Sequence, residues 1–113
     1  MAQRKIEEAK KVQEEALKLA KDLGNPDLLF EAHILGARVA AAEDIKTAAT
    51  TILKTLLLET RTPKEKAAVF YELYRVDMHS HYRQNSLDLY QKLYDETPQF
   101  IFKQRIQKLI LGR

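Results

Sequence analysis

Between Gln3 and Leu23 the apolar residues Ile6, Ala9, Val12, Ala16, Leu17, Leu19, Ala20 and Leu23 recur mostly at steps of three and four. That spacing predicts an amphipathic helix, because a helical period of 3.6 residues lines such positions along one face. The other face carries Glu7, Lys11, Glu14, Glu15 and Lys18, with Glu7–Lys11 and Glu14–Lys18 at the favourable i,i+4 spacing. Gly24 is a C-terminal stop, and Asn25-Pro26-Asp27 makes a turn. A second helix is predicted over about 27–42, with Asp27 as N-cap and Phe30, Ile34, Leu35 and Val39 as its apolar set. Its alanines (Ala32, Ala37, Ala40, Ala41) are small enough for another helix to approach closely. Glu43-Asp44 marks a tight turn, and a third helix over about 44–59 buries Ile45, Ala48, Ala49, Ile52, Leu53, Leu56 and Leu57.

The second half repeats this rhythm. Thr62 caps a fourth helix (63–79), with Pro63 at its first position and Glu65 placed for a capping box. That helix buries Ala67, Phe70, Leu73, Tyr74 and Met78. After a turn at Ser80-His81, a fifth helix (82–96) buries Ser86, Leu87, Tyr90, Leu93 and Tyr94. Thr97-Pro98 again reads as a cap and a first-turn proline, opening a sixth helix (98–111) with Ile101, Phe102, Ile106, Leu109 and Ile110. About six helices joined by short turns imply antiparallel neighbours. No segment alternates with period two, so the expectation is an all-α chain, with residues 1–113 as a single domain.

Composition narrows the class. Apolar residues at 45% and charged residues at 31% fit a folded, helix-rich chain rather than a disordered one. No apolar run approaches the roughly 20 residues of a membrane helix, and no signal peptide is recognisable. Cysteine is absent, which removes disulfides and thiolate metal sites and suggests a cytoplasmic setting. The net charge is +3, and the excess of bases lies in residues 61–113, where bases and acids are interleaved rather than gathered into a stripe. That argues against nucleic acid as a partner.

Within the chain, two stretches repeat the same residue types at an offset of 38: Leu35 returns as Leu73, Ala48 as Ser86 and Ile52 as Tyr90. A period in this range marks stacked repeats. The residues Phe70, Leu73, Ser86, Tyr90, Leu93 and Pro98 resemble the tetratricopeptide repeat, a helix–turn–helix unit of 34 residues. Leu35-Gly36, Asp44, Ala48 and Ile52 follow the same pattern in the preceding unit. Tyr74, Asp77 and Ala32 depart from it, so the repeats are degenerate. The resemblance implies a right-handed superhelical stack of antiparallel helix pairs. In it, residues 3–23 are the second helix of a partial repeat, 27–60 and 63–96 are repeats, and 98–111 is a C-terminal capping helix. It also implies a chain excised from a longer protein, a bacterial signalling or regulatory one.

The same resemblance implies a concave groove lined by the first helix of each unit. Carried over position by position, the groove residues are Phe30, His33, Ala37 and Ala40, then Tyr71, Arg75 and Met78, with Arg105 from the last helix. Aromatic, Arg and Met side chains are the types enriched at interface anchors. The Lys/Asn clamp that some members use for the C-terminus of heat-shock chaperones would stand at His33, Ala37 and Glu72, and these residues cannot form it. His79-Ser80-His81 is two histidines without a third ligand, so no metal or cofactor is expected. No nucleophile has a base and orienter beside it, and no glycine loop could cradle phosphate. The function expected is therefore a non-enzymatic protein-interaction module that binds a peptide or partner helix. The alternative is a self-associating scaffold, a homodimer through the N-terminal helix and its face of Ile6, Ala9, Val12, Ala16 and Leu19.

Overall fold

A computed structural model describes residues 3–111, which form six α-helices and no strand: α1 (Gln3–Leu23), α2 (Pro26–Ala42), α3 (Lys46–Leu58), α4 (Pro63–Asp77), α5 (Ser80–Glu96) and α6 (Phe100–Leu111). Residues 3–111 contain no helix long and apolar enough to cross a membrane. The chain divides into two compact units, Met1–Leu56 and Leu57–Arg113.

Local chemistry sets the helix ends. Gly24 sits at φ +60, the Gly24 N–H donates to Lys21 O, and the Asn25 N–H donates to Ala20 O. This is the paired bonding of a Schellman cap, which closes α1. The cap of α2 is Asn25 rather than the expected Asp27: its Oδ1 accepts from the N–H of Asp27 (3.0 Å) and Leu28 (3.2 Å). Pro26 explains the shift, because a residue before proline is held extended, as an N-cap must be, and proline suits the first helical position. The α2–α3 turn places Asp44 at φ 62, with the Asp44 N–H on Ala41 O and the Ile45 N–H on Ala40 O. Helix α3 therefore starts at Lys46, two residues later than its apolar pattern suggests, and Ile45 is left exposed.

Thr62 caps α4 by accepting from the Glu65 N–H at 3.1 Å. Glu65 reaches back one residue further than a capping box requires, to the Arg61 N–H (2.9 Å), and also pairs with the Arg61 guanidinium (2.8 Å). Helix α4 ends at Asp77 because Met78 turns left-handed (φ 58), so Met78 is exposed instead of buried. His79 then caps α5, its Nδ1 accepting from the His81 N–H at 3.2 Å, so α5 begins at Ser80. Thr97 closes α5 by donating its N–H to Leu93 O, and Pro98 lies in the connection. Gln99, not Thr97, accepts the first bonds of α6.

Met78 carries a testable cost. A left-handed conformation costs a non-glycine residue about 1–2 kcal/mol, and glycine's extra freedom when unfolded offsets about half of this. Met78→Gly is therefore expected to stabilise the protein by about 0.5–1 kcal/mol, read as a rise of a few degrees in thermal midpoint by circular dichroism.

In the first unit α1 packs on α2. Gln13 donates to Ala32 O at 3.4 Å, and Lys10 pairs with Glu43 at 2.7 Å. Partners earlier in α1 meet residues later in α2, so the pair is antiparallel. Glu43 holds the Lys10 ammonium above its ordinary pKa. The Gln13 side chain lies against α2 at Gly36, where an added Cβ would meet its amide nitrogen at 3.1 Å. Ile6 and Ala20 are buried, as are Ala32, Ile34, Ala37, Val39 and Ala40 of α2 and Ala49, Leu53 and Leu56 of α3. The apolar face expected of the first helix is thus divided. Ile6 is covered, while Val12, Leu19 and Leu23 are exposed.

In the second unit α5 packs on both α4 and α6. Its core joins Ala67, Tyr71 and Tyr74 of α4, Tyr90 of α5, and Phe102 and Leu109 of α6. Ser86 shows why a small residue is needed at its position. It is wholly buried, and its Oγ donates to Ala67 O at 3.0 Å, so α5 lies directly against the α4 backbone. Less than one turn earlier on α5, Arg83 Nε donates to Leu109 O (2.6 Å) and Nη2 to Ile110 O (3.2 Å), satisfying carbonyls at the end of α6. Helices of 12–17 residues are marginal alone, so this packing is what stabilises them.

Candidate functional site

The residues singled out in the sequence divide between the units. Phe30 and His33 are half-buried and Ala37 is buried, all on α2. Tyr71 (buried), Arg75 (exposed) and Met78 (exposed) belong to α4 and its end, and the half-buried Arg105 belongs to α6. The structure brings Tyr71, Arg75 and Arg105 together. Met78 stands beyond α4 in the turn.

Helix geometry builds the cluster. Tyr71 and Arg75 are one turn apart on α4, so the Arg75 guanidinium lies 5.9 Å from the Tyr71 ring centre. Arg75 Nη1 also meets Glu72 Oε2 at 3.4 Å. The Glu72 side chain is only 4% exposed and that of Arg75 is 52% exposed, so a solvent-facing guanidinium covers a buried carboxylate. Arg105 arrives from α6. Its guanidinium carbon is 4.8 Å from the Tyr71 ring centre and 5.7 Å from that of Tyr90, and its Nη1 donates to the Tyr90 hydroxyl. Tyr71 and Tyr90 meet edge to face at 6.3 Å, Tyr90 meets Phe102 at 5.8 Å, and Lys64 Nζ lies 6.0 Å from the Phe102 ring centre. Cations and rings thus alternate across α4, α5 and α6, each such contact contributing roughly 0.5–1 kcal/mol at an exposed site.

Two properties of the cluster bear on what it could bind. Arg105 forms no ion pair among the described residues, so rings rather than a carboxylate hold its charge in place. Its geometry is set in advance, which spares the roughly 0.5–1.5 kcal/mol of ordering that a free arginine loses on binding. A carboxylate brought to this surface meets a guanidinium that is already oriented.

Tyr90, Glu72 and Lys64 complete the cluster and are not evident as site residues in the sequence. One signal does exist. Tyr90 and Arg105 are equally far from the Thr97-Pro98 break, and an antiparallel pair folded there must oppose them.

Burial pushes the Tyr90 phenol above its ordinary value, although Arg105 opposes this through its charge and hydrogen bond. The sign of the consequence follows. Below the ordinary tyrosine value of about 10 the phenol is neutral in both states and stability is intact. As pH rises past it, the unfolded chain loses the proton first, and stability falls until the pH passes the raised value of the folded state. Urea unfolding at about pH 9 and about pH 11 should show this loss, and Tyr90→Phe should make it smaller.

The histidines of the α4–α5 turn pack as rings, edge to face, with each other. His79 and His81 meet at 6.0 Å, and each packs on Tyr82. No group of three or more metal-ligating side chains occurs among the described residues. No protein-family model matches the chain, and no match to it is found among curated proteins or solved structures.

Proposed function

We propose that this chain is a tetratricopeptide-like interaction module, and that the α4–α6 surface binds a peptide or partner helix through an acidic group. The repeat at an offset of 38, the antiparallel helix pairs and the small residue Ser86 at the α4–α5 contact support the repeat reading. One observation carries the binding reading: Arg105 is fixed against Tyr71 and Tyr90 without an ion pair among the described residues, and the exposed Arg75 lies across the same ring. Arginine and tyrosine dominate interface hot spots because a ring and a planar fork lose little freedom on binding.

The test is a selection of random 12-residue peptides on the immobilised protein. The enriched peptides should carry Asp, Glu or a free C-terminal carboxylate. Arg75→Gln combined with Arg105→Gln should weaken them at least tenfold by fluorescence anisotropy, about 1.4 kcal/mol. Equal affinity for the double variant would remove this surface from the reading.

A further inference from the structure

From the faces of α1 and α6 we infer that this chain associates head to tail, the outer face of α1 in one copy receiving the outer face of α6 in another. Val12, Ala16, Leu19 and Leu23 are spaced by four, three and four residues, which is the seam a second helix requires. Val12 and Leu19 are each 54% exposed and Leu23 is 62% exposed, because α1 turns Ile6, Gln13 and Ala20 toward α2 and not these. On α6, Phe102 and Leu109 are buried, while Phe100 (78%) and Leu111 (68%) are exposed on the opposite face. The two stripes match in reach. Val12 to Leu23 and Phe100 to Leu111 each span 12 residues, about 17 Å of helix, with Gln104 and Gln107 between the two apolar ends on α6.

Charge selects the occupant. The α1 stripe is bordered along its open edge by Glu8, Glu15 and Asp22, at successive intervals of seven, and Glu8 is paired with Arg4 (3.8 Å). A second α1 laid antiparallel on this stripe sets acid against acid. The other edge of the stripe is turned to α2, which denies a parallel α1 its usual cross-pairing. Helix α6 has no acidic residue, and its outer face is flanked by the exposed Lys103 and Lys108. It is therefore the complement that α1 lacks. The two faces differ, so the contact is heterologous and propagates as an open chain or closes as a ring. One helix on one helix is a small contact, so the association is weak and depends on concentration.

Sedimentation equilibrium of the whole chain from about 10 µM to about 1 mM should show a mass that rises from 13.1 kDa and continues past twice that value. Glu15→Lys with Asp22→Lys should stay monomeric, and so should Lys103→Glu with Lys108→Glu. All four side chains are exposed, so thermal melts should not change. An equimolar mixture of the two variants restores opposite charge at both contacts and should recover the assembly. Mass fixed at 13.1 kDa throughout would overturn the inference. So would undiminished association of the Lys103→Glu, Lys108→Glu variant, which would assign the α1 face to another α1 or to a different protein.

Discussion

Tyr90→Ala is expected to destabilise the protein by about 3–5 kcal/mol, a large share of the 5–15 kcal/mol that typically holds a domain together. The ring is 1% exposed, meets Tyr71 and Phe102, and carries Arg105 on its hydroxyl and face. Truncation removes the apolar burial, opens a cavity between α4, α5 and α6, and frees the Arg105 side chain. Tyr90→Phe keeps the ring and deletes only the hydroxyl bond, so its cost should be near 1 kcal/mol. Urea unfolding at neutral pH measures both. An alanine variant that loses less than about 1 kcal/mol would show that the ring is not a core member.

Ser86→Leu should be nearly as damaging, for the opposite reason. Ser86 is wholly buried with its Oγ on Ala67 O, and Ala67 is wholly buried as well. A branched four-carbon side chain does not fit where two helix backbones touch, so α5 must lift from α4. Overpacking of this kind costs about 1–3 kcal/mol, and the lost hydrogen bond adds about 1 kcal/mol. Ser86→Ala keeps the close approach, and its change should stay within about 1 kcal/mol. If leucine were tolerated as well as alanine in the same unfolding experiment, the close α4–α5 contact would not be a determinant of stability.

Hydrophobic periodicity makes the six helices legible, because each buries one face and the 3.6-residue repeat is not disguised. The ends are harder to read, since two rules compete at each. At Asn25-Pro26-Asp27 both Asn25 and Asp27 are capping types, and the proline between them decides. At Met78 nothing in the side chain announces a left-handed turn. At Thr97-Pro98-Gln99 the proline follows the end of α5 and does not open α6. The candidate site shows the same limit. The repeat resemblance singles out Tyr71, Arg75 and Arg105, but that Tyr71 is buried and shared by two guanidiniums depends on how α6 is set beside α4. That placement is a property of packing, which no local pattern encodes.

The helix contacts within each unit join neighbours in the chain: α1 with α2, α4 with α5 and α5 with α6. Their connections are short, and those at Gly24-Asn25 and Met78-His79 are fixed by their own backbone bonds. Each hairpin can therefore close without a long search by its ends, which is the condition for rapid acquisition of structure. Chains with such local connectivity fold in about microseconds to milliseconds. Each pair is thus able to form soon after its second helix is made, before the rest of the polypeptide exists.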